Sequence, residues 1–235
     1  MRLDKFLKEC NVCSRSESKQ VLKKGLIKIN GNIVKDPSYK LDENNDVVTY
    51  NDKVIEYQEF VYIMLNKPAG VISATEDSKD TTVIDLVSEY AHKEVFPFGR
   101  LDKDSVGLLI LSNDGKLAHE LLSPKKHVSK VYYLKIKGRL DESDVEAFKN
   151  GITLEDGYVT KEGKLEIIKS DEISECLATI SEGKFHQLKR MFIALDKEVV
   201  FLKRIKFKDI ELDESLKEGE YRLLTKEEID SLKSI

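Results

Sequence analysis

The chain has 235 residues, of which 40% are hydrophobic and 35% charged, and its formal net charge is −4 at pH 7. This composition is ordinary for a globular protein. The length is sufficient for one domain of average size and a second, smaller domain. No stretch of about 18 apolar residues is present, which excludes a transmembrane helix. The three cysteines, Cys10, Cys13 and Cys176, are too few for a disulfide framework, and the charged N-terminal stretch MRLDKFLKEC has no apolar signal core, so we expect reduced thiols in a cytoplasmic protein.

The basic residues are segregated along the chain. Residues 1–40 contain ten Lys or Arg against four acids, residues 124–139 six against none, and residues 183–208 eight against two. The acids are concentrated in residues 140–182 and 209–235. Basic segments inside an acidic chain predict a face that binds phosphate groups, with ordinary solvated surfaces as the alternative.

The N-terminal part has the pattern of two short helices and a hairpin. Residues 2–10 carry apolar side chains at helical spacing. Ser14 and Glu17 form the sequence pattern of a capping box, which predicts a second helix over residues 15–24. The Asn30-Gly31 pair accepts the positive φ angles of a tight type I′ turn and predicts a hairpin, after which further short strands follow.

A second domain is predicted to begin after a linker at residues 57–60. Its first elements are a strand at residues 61–65 and a helix at residues 82–90. The apolar run at residues 108–111 has the length of a buried core strand. Four charged residues within residues 100–104 immediately precede this run, so a charged loop is predicted to be fixed to a rigid scaffold.

The remaining pattern alternates between strands and helices. It predicts a helix at 116–122, a basic turn at 124–127, a strand at 128–137, a helix at 141–151, antiparallel strands within 152–182, a helix start near 185, strands at 199–205 and 207–212, and a last helix capped at 225–228.

Several motifs in this second domain resemble those of RsuA-type pseudouridine synthases. The sequence GRLDKDSVGLLILSNDG at residues 99–115 resembles the family signature, and NKPAGVISAT at 66–75, KVY at 130–132 and FHQLKRMF at 185–192 resemble further motifs. The resemblance extends to the closing GEYRLLT. It implies an α+β catalytic domain over residues 61–235, built on a mixed, largely antiparallel sheet with flanking helices.

The first domain, residues 1–58, resembles the alpha-L RNA-binding module, which is also found in a small-subunit ribosomal protein. The resemblance places four basic side chains of its second helix against phosphate: Arg15, Lys19, Lys23 and Lys24. A dimerisation or scaffold lobe is the alternative interpretation.

The resemblance also assigns the chemistry. Asp102 corresponds to the catalytic carboxylate of the family, Tyr132 to the residue that supplies an aromatic ring for the flipped base, and Lys189 to the cation that keeps Asp102 ionised in a dry pocket. The carboxylate acts either as a nucleophile or as a base, and the sequence leaves both open. Neither route requires a cofactor or a metal ion.

Further residues are predicted to contact the substrate: Arg100, Lys130, His186, Gln187, Leu188 and Arg190. The HQLKR sequence resembles enzymes that act on small-subunit ribosomal RNA, so the predicted reaction is isomerisation of a uridine in 16S ribosomal RNA by a monomer, with free RNA or a small-subunit assembly intermediate as partner. The alternatives are a 23S ribosomal RNA synthase, a noncatalytic RNA-binding protein and a hydrolase that uses carboxylates.

Overall fold

The structure is a computed structural model that describes residues 1–43, 45–123 and 126–234. The chain divides into two compact units. Met1–Val61 together with Glu89–Glu94 forms the N-terminal unit, and Tyr62–Ser88 together with the chain from Val95 onward forms the larger unit.

Two helices begin the N-terminal unit, α1 at Leu3–Glu9 and α2 at Arg15–Lys23. The predicted capping box of α2 is confirmed. The hydroxyl of Ser14 accepts a hydrogen bond from the Glu17 amide at 3.3 Å, and the Glu17 carboxylate accepts one from the Ser14 amide at 2.9 Å. This reciprocal pair satisfies amide groups that the first helical turn leaves without partners.

A small antiparallel sheet completes this unit, in the order β2-β1-β3-β4. Its strands are β1 (Ile27–Ile29), β2 (Asn32–Ile33), β3 (Val48–Tyr50) and β4 (Lys53–Val54). Asn30 and Gly31 both have positive φ, 51° and 83°, as the predicted hairpin requires. The core of the unit is formed by buried apolar side chains of both helices, the sheet and the segment between β2 and β3: Leu3, Phe6, Leu7, Leu22, Ile27, Ile29, Leu41 and Val48.

The larger unit is built on one mixed sheet, in the order β13-β5-β7-β11-β8-β10-β9, with β6 paired to β7 and β12 to β11. The strands are β5 (Tyr62–Lys67), β6 (Phe96–Pro97), β7 (Val106–Ser112), β8 (Lys130–Lys137), β9 (Lys164–Lys169), β10 (Ile173–Ile180), β11 (Glu198–Phe207), β12 (Ile210–Glu211) and β13 (Tyr221–Leu223). Within the described residues, β7 and β11 are parallel and the other pairs of strands are antiparallel. This architecture confirms the predicted α+β fold.

The predicted core strand is confirmed in β7, where all seven residues are buried. Its pairing with β11 depends on Gly107, which lies opposite Arg204 in the register. A Cβ atom at Gly107 would lie 2.3 Å from the Arg204 carbonyl oxygen, and φ at this residue is 100°. Only glycine allows the two backbones to approach this closely.

The described part of the larger unit contains four α-helices: α3 at Gly115–Leu122, α4 at Glu142–Asn150, α5 at Gln187–Ala194 and α6 at Lys226–Lys233. Side chains of Asp114, Asp141 and Thr225 cap the first, second and fourth of these. None of the helices in the described part of the chain is long and apolar enough to cross a membrane.

The helix predicted at residues 82–90 is wrong in type and position. Thr82 and Asp85 do exchange hydrogen bonds as in a capping box. The chain then forms a 3₁₀ segment at Asp85–Lys93, because Val87 leaves the helical region with φ −118° and ψ 35°. Its β-branched side chain is fully buried, so packing overrides the weak helical preference of this residue type.

The boundaries of the late strands also differ from the prediction. β11 is continuous over Glu198–Phe207, because register shifts at two places absorb irregularities without ending the strand. The strands predicted within 152–182 occur only as β9 and β10. In the stretch before them, Gly151 and Gly157 have positive φ and interrupt extended structure. Two residues of the basic turn predicted at 124–127, Pro124 and Lys125, lie outside the described residues.

Candidate active site

Lys67, the last residue of β5, holds the charged loop at residues 100–105, which precedes β7, by hydrogen bonds to its backbone. The Lys67 ammonium donates hydrogen bonds to the backbone carbonyls of Pro68 at 3.0 Å, Asp102 at 3.1 Å and Ser105 at 2.8 Å, and lies 3.5 Å from that of Lys103. The side chain is fully buried, and burial lowers its pKa to about 8 although nearby carboxylates act in the opposite direction. The NKPAG motif was visible in the sequence, but nothing in it indicated this contact.

A second clamp holds the other side of the same loop. The buried hydroxyl of Ser73 donates to the carbonyl of Leu101 at 2.9 Å and accepts from the Leu101 amide at 3.0 Å. The amide of Gly70 donates to the Lys103 carbonyl at 2.7 Å. The backbone on both sides of Asp102 is therefore held by direct hydrogen bonds, which fixes the position from which its carboxylate projects.

Lys189 of α5 lies between two carboxylates of this loop. Its ammonium is 3.4 Å from Oδ2 of Asp102 and donates to both oxygens of Asp104 at 2.7 and 2.8 Å. The hydrogen bond from Lys189 lowers the pKa of Asp104. The structure thus brings Lys189 and Asp102 together, but the cation is shared with Asp104, a contact that the sequence did not indicate.

His186 is the N-cap residue that precedes α5, in the left-handed region with φ 48°. Its Nε2 atom is 3.6 Å from Oδ1 of Asp102, and its ring is stacked on that of Phe185 with centroids 3.8 Å apart. The Phe185 side chain is 76% exposed. The two rings form an exposed aromatic pair beside the Asp102 carboxylate.

The other residues of the HQLKR motif have different surroundings. Gln187 is buried, accepts from the Lys184 amide at 2.9 Å and donates to Glu182 at 2.7 Å, so its amide group holds the loop before α5. Leu188 is buried. Arg190 forms ion pairs with Glu155 and with Asp156, at 2.6 and 2.5 Å.

A cavity of about 830 Å³ joins the candidate residues of the loop, β8 and the start of α5. Among the residues that line it are Arg100, Asp102, Lys130, Tyr132, His186 and Arg204. A smaller adjoining cavity of about 80 Å³ shares Asp102 and Tyr132 with the larger one and is also lined by Gln187, Leu188 and Lys189. Arg190 is not among the lining residues described for either.

Tyr132 lies on β8 with 7% of its surface exposed, directly opposite Arg204 in the pairing of β8 with β11. Arg100 is exposed at the cavity. In the described residues, no group of three His, Cys, Asp or Glu side chains is arranged to hold a metal ion.

In the N-terminal unit, the four basic residues predicted to face phosphate are all exposed: Arg15, Lys19, Lys23 and Lys24. The first three recur every four residues along α2, so they share one face of the helix.

A carboxylate beside a lysine and a buried tyrosine gives this cavity the groups for acid–base or nucleophilic chemistry, and the exposed basic face of α2 suits a ligand that carries phosphate. Residues 61–194 match the family model of RNA pseudouridylate synthases, and residues 1–54 match that of the S4 domain. The chain therefore belongs to the RNA pseudouridylate synthase family, and it is an isomerase that acts on RNA.

Relatives match along almost the whole chain. An uncharacterized RNA pseudouridine synthase of Bacillus subtilis, YtzG, is 47% identical over 99% of this chain and 98% of that protein. The ribosomal small subunit pseudouridine synthase A of Haemophilus influenzae is 38% identical over 99% of both chains. A crystal structure of a pseudouridylate synthase superposes with a TM-score of 0.70 at 38% identity, covering 99% of both chains.

Proposed function

We propose that this enzyme isomerises a uridine of 16S ribosomal RNA, with Asp102 as the catalytic carboxylate. The observation that carries the proposal is that Asp102, Lys189 and Tyr132 line one cavity, with Asp102 on the loop that Lys67 holds by hydrogen bonds. The choice of RNA is supported by the full-length similarity to a ribosomal small subunit pseudouridine synthase A.

Isomerisation breaks the bond between N1 of uracil and C1′ of the ribose, turns the base and joins C5 to C1′. C5 loses a proton and N1 gains one, so the reaction has no net redox change and adds no group to the substrate. Asp102 either attacks the nucleoside as a nucleophile or removes a proton from the sugar. Both routes need a carboxylate within reach of the sugar, and the ammonium of Lys189 lies 3.4 Å from Oδ2 of Asp102.

The target base must leave its stack to reach this carboxylate. Tyr132 lines the cavity beside Asp102 and offers an aromatic surface to the flipped base. Arg100, exposed two residues before Asp102, is positioned to contact the RNA backbone or to take the place of the base. The protein thereby replaces base stacking with contacts of its own.

Substrate choice is tested by giving the purified protein 16S and 23S ribosomal RNA separately, each free and as partly assembled particles, and mapping pseudouridine. We expect product only in the 16S species. The Asp102→Asn variant under identical conditions controls for pseudouridine already present in the RNA. Product confined to 23S RNA would overturn the assignment to the small subunit while leaving the isomerase chemistry intact.

We further propose that the exposed basic face of α2 supplies RNA affinity. In the Lys19→Gln/Lys23→Gln double variant, the slope of log affinity against log salt should fall by about 0.7 to 0.9 for each phosphate that the protein no longer neutralises. The matched control is Lys149→Gln/Lys226→Gln, which removes two exposed lysines from the helices α4 and α6. An equal slope in both double variants would show that α2 is not the RNA-binding face.

A further inference from the structure

Arg204 is a buried cation at the cavity whose hydrogen-bonding capacity is only partly used. It is 2% exposed, and its Nε atom donates to the carbonyl of Leu108 at 2.7 Å. Its Nη2 atom is buried and has no hydrogen-bond partner among the described residues. A buried guanidinium N–H without an acceptor is costly, and Arg204 lines the cavity that contains Asp102, so an acceptor from the substrate is the natural partner.

Lys130 is a second cation beside Arg204. Its Nζ atom lies 5.7 Å from the centre of the Phe207 ring, and the guanidinium carbon of Arg204 lies 5.6 Å from the same centre. The Lys130 ammonium donates to the Val128 carbonyl at 2.9 Å. Burial lowers the pKa of Lys130 to about 8, and the charge of Arg204 acts in the same direction.

No carboxylate of the described residues forms an ion pair with either cation. The acid whose charge reaches Lys130 is Glu182, and its oxygens already accept from Tyr158 at 2.6 Å, the Lys161 amide at 2.9 Å and Gln187 at 2.7 Å. Two neighbouring cations without an acidic partner favour an anionic ligand over a neutral carbonyl group.

We propose that Lys130 and Arg204 form a subsite for a phosphodiester group adjacent to the uridine that is isomerised. This inference rests on the proposed function, since it takes RNA as the ligand of the cavity. Lys130 and Tyr132 lie on the same face of β8, about 7 Å apart along the strand. That spacing suits a nucleotide whose base packs on the tyrosine ring while a flanking phosphate reaches the cations.

In the part of the chain that the structure describes, two basic residues of α5 near Asp102 are already paired with carboxylates, unlike Lys130 and Arg204. Lys189 is engaged by Asp104, and Arg190 by Glu155 and Asp156. Arg204 lines the cavity, and its buried Nη2 atom has no hydrogen-bond partner among the described residues.

The first test needs no isomerisation. Binding of uridine 3′-monophosphate, uridine 5′-monophosphate and uridine is measured by NMR titration of the full-length protein. We expect at least one monophosphate to bind about tenfold tighter than uridine, because charge-assisted hydrogen bonds form only with the phosphate. The preference should vanish in Lys130→Met and in Arg204→Lys. Equal or absent binding of the three compounds by the wild type overturns the subsite.

Matched controls lie on the same two strands. Lys135→Met and Lys203→Met remove cations whose side chains line a separate cavity on the other face of the sheet. Both should keep the preference for the monophosphate. If both Lys130→Met and Arg204→Lys keep the preference for a monophosphate over uridine, the proposal is overturned. If Arg204→Lys fails to fold, the same result in Lys130→Met alone overturns it.

The second test uses RNA that the wild type modifies, with a single neutral methylphosphonate placed on either side of the target uridine. At one of the two positions the wild type should lose about tenfold in affinity, whereas Lys130→Met should lose little further. Equal losses for both proteins at both positions overturn the subsite. If no RNA is modified, the proposed function fails, and the monophosphate titration alone decides the subsite.

Discussion

Replacing Asp102 with Asn should abolish pseudouridine formation while leaving RNA affinity nearly unchanged. The rate of a single turnover should fall on the order of 10⁴-fold, because an amide neither attacks carbon nor removes a proton. A carboxylate makes no favourable contact with phosphate, so its removal should not weaken binding. The measurement is single-turnover rate at saturating RNA, together with a separate equilibrium binding assay.

Asp104→Asn is the matched control for this variant, because it changes the same atoms in the same loop. The Asp104 side chain is 72% exposed and shares Lys189 with Asp102. Its loss leaves the cation free to approach Asp102, so most of the activity should be retained. Substantial product from Asp102→Asn, or equal loss in both variants, would contradict the role assigned to Asp102.

Replacing Lys67 with Met should lower kcat by about 100-fold without a comparable change in RNA affinity, since a shift of about 1 Å in a catalytic group has an effect of this size. The variant keeps an unbranched side chain but removes the ammonium that holds the carbonyls of Pro68, Asp102 and Ser105. Steady-state kinetics that separate kcat from KM, with a thermal melt to confirm folding, test this expectation.

The control is Lys103→Met, which removes a half-exposed lysine from the same loop, where it pairs with Asp80. This variant should retain kcat. A normal kcat in Lys67→Met would show that Ser73 and the remaining loop contacts are enough to position Asp102.

Lys67 should also make stability depend on pH. Its pKa is about 8 in the folded protein against an ordinary value of 10.5, so between these values the unfolded chain binds more protons. The free energy of unfolding of the wild type should therefore rise with pH across this window, relative to Lys67→Met. Lys130 titrates in both proteins, so the difference between their urea unfolding curves isolates Lys67. A constant difference would contradict the lowered pKa.

Local patterns in the sequence predicted the elements that local forces determine. The apolar run of β7, the Asn30-Gly31 turn and the caps of α2 and α6 each depend on residues close in sequence. The 3₁₀ segment around Val87 was missed because burial of that side chain, a tertiary effect, overrides the local helical pattern.

The sequence predicted only those residues of the candidate site that lie within recognisable motifs. The resemblance named Asp102, Tyr132 and Lys189, which the fold brings to one place. The contacts of Lys67 and Arg204 were not predictable, because the sequence of a strand gives no sign of which distant carbonyl or cavity a Lys or Arg in it reaches. The sharing of Lys189 with Asp104 likewise depends on how α5 meets the loop.

The short parallel pairing of β7 with β11 has a consequence for how the enzyme becomes active during folding. It joins two antiparallel blocks, β13-β5-β7 and β11-β8-β10-β9, through the register pairs of Val106 with Lys203 and Gly107 with Arg204. Asp102 enters from the first block, whereas Tyr132 belongs to the second. Neither block alone contains both side chains, so the residues of the candidate site come together only when the two blocks pair.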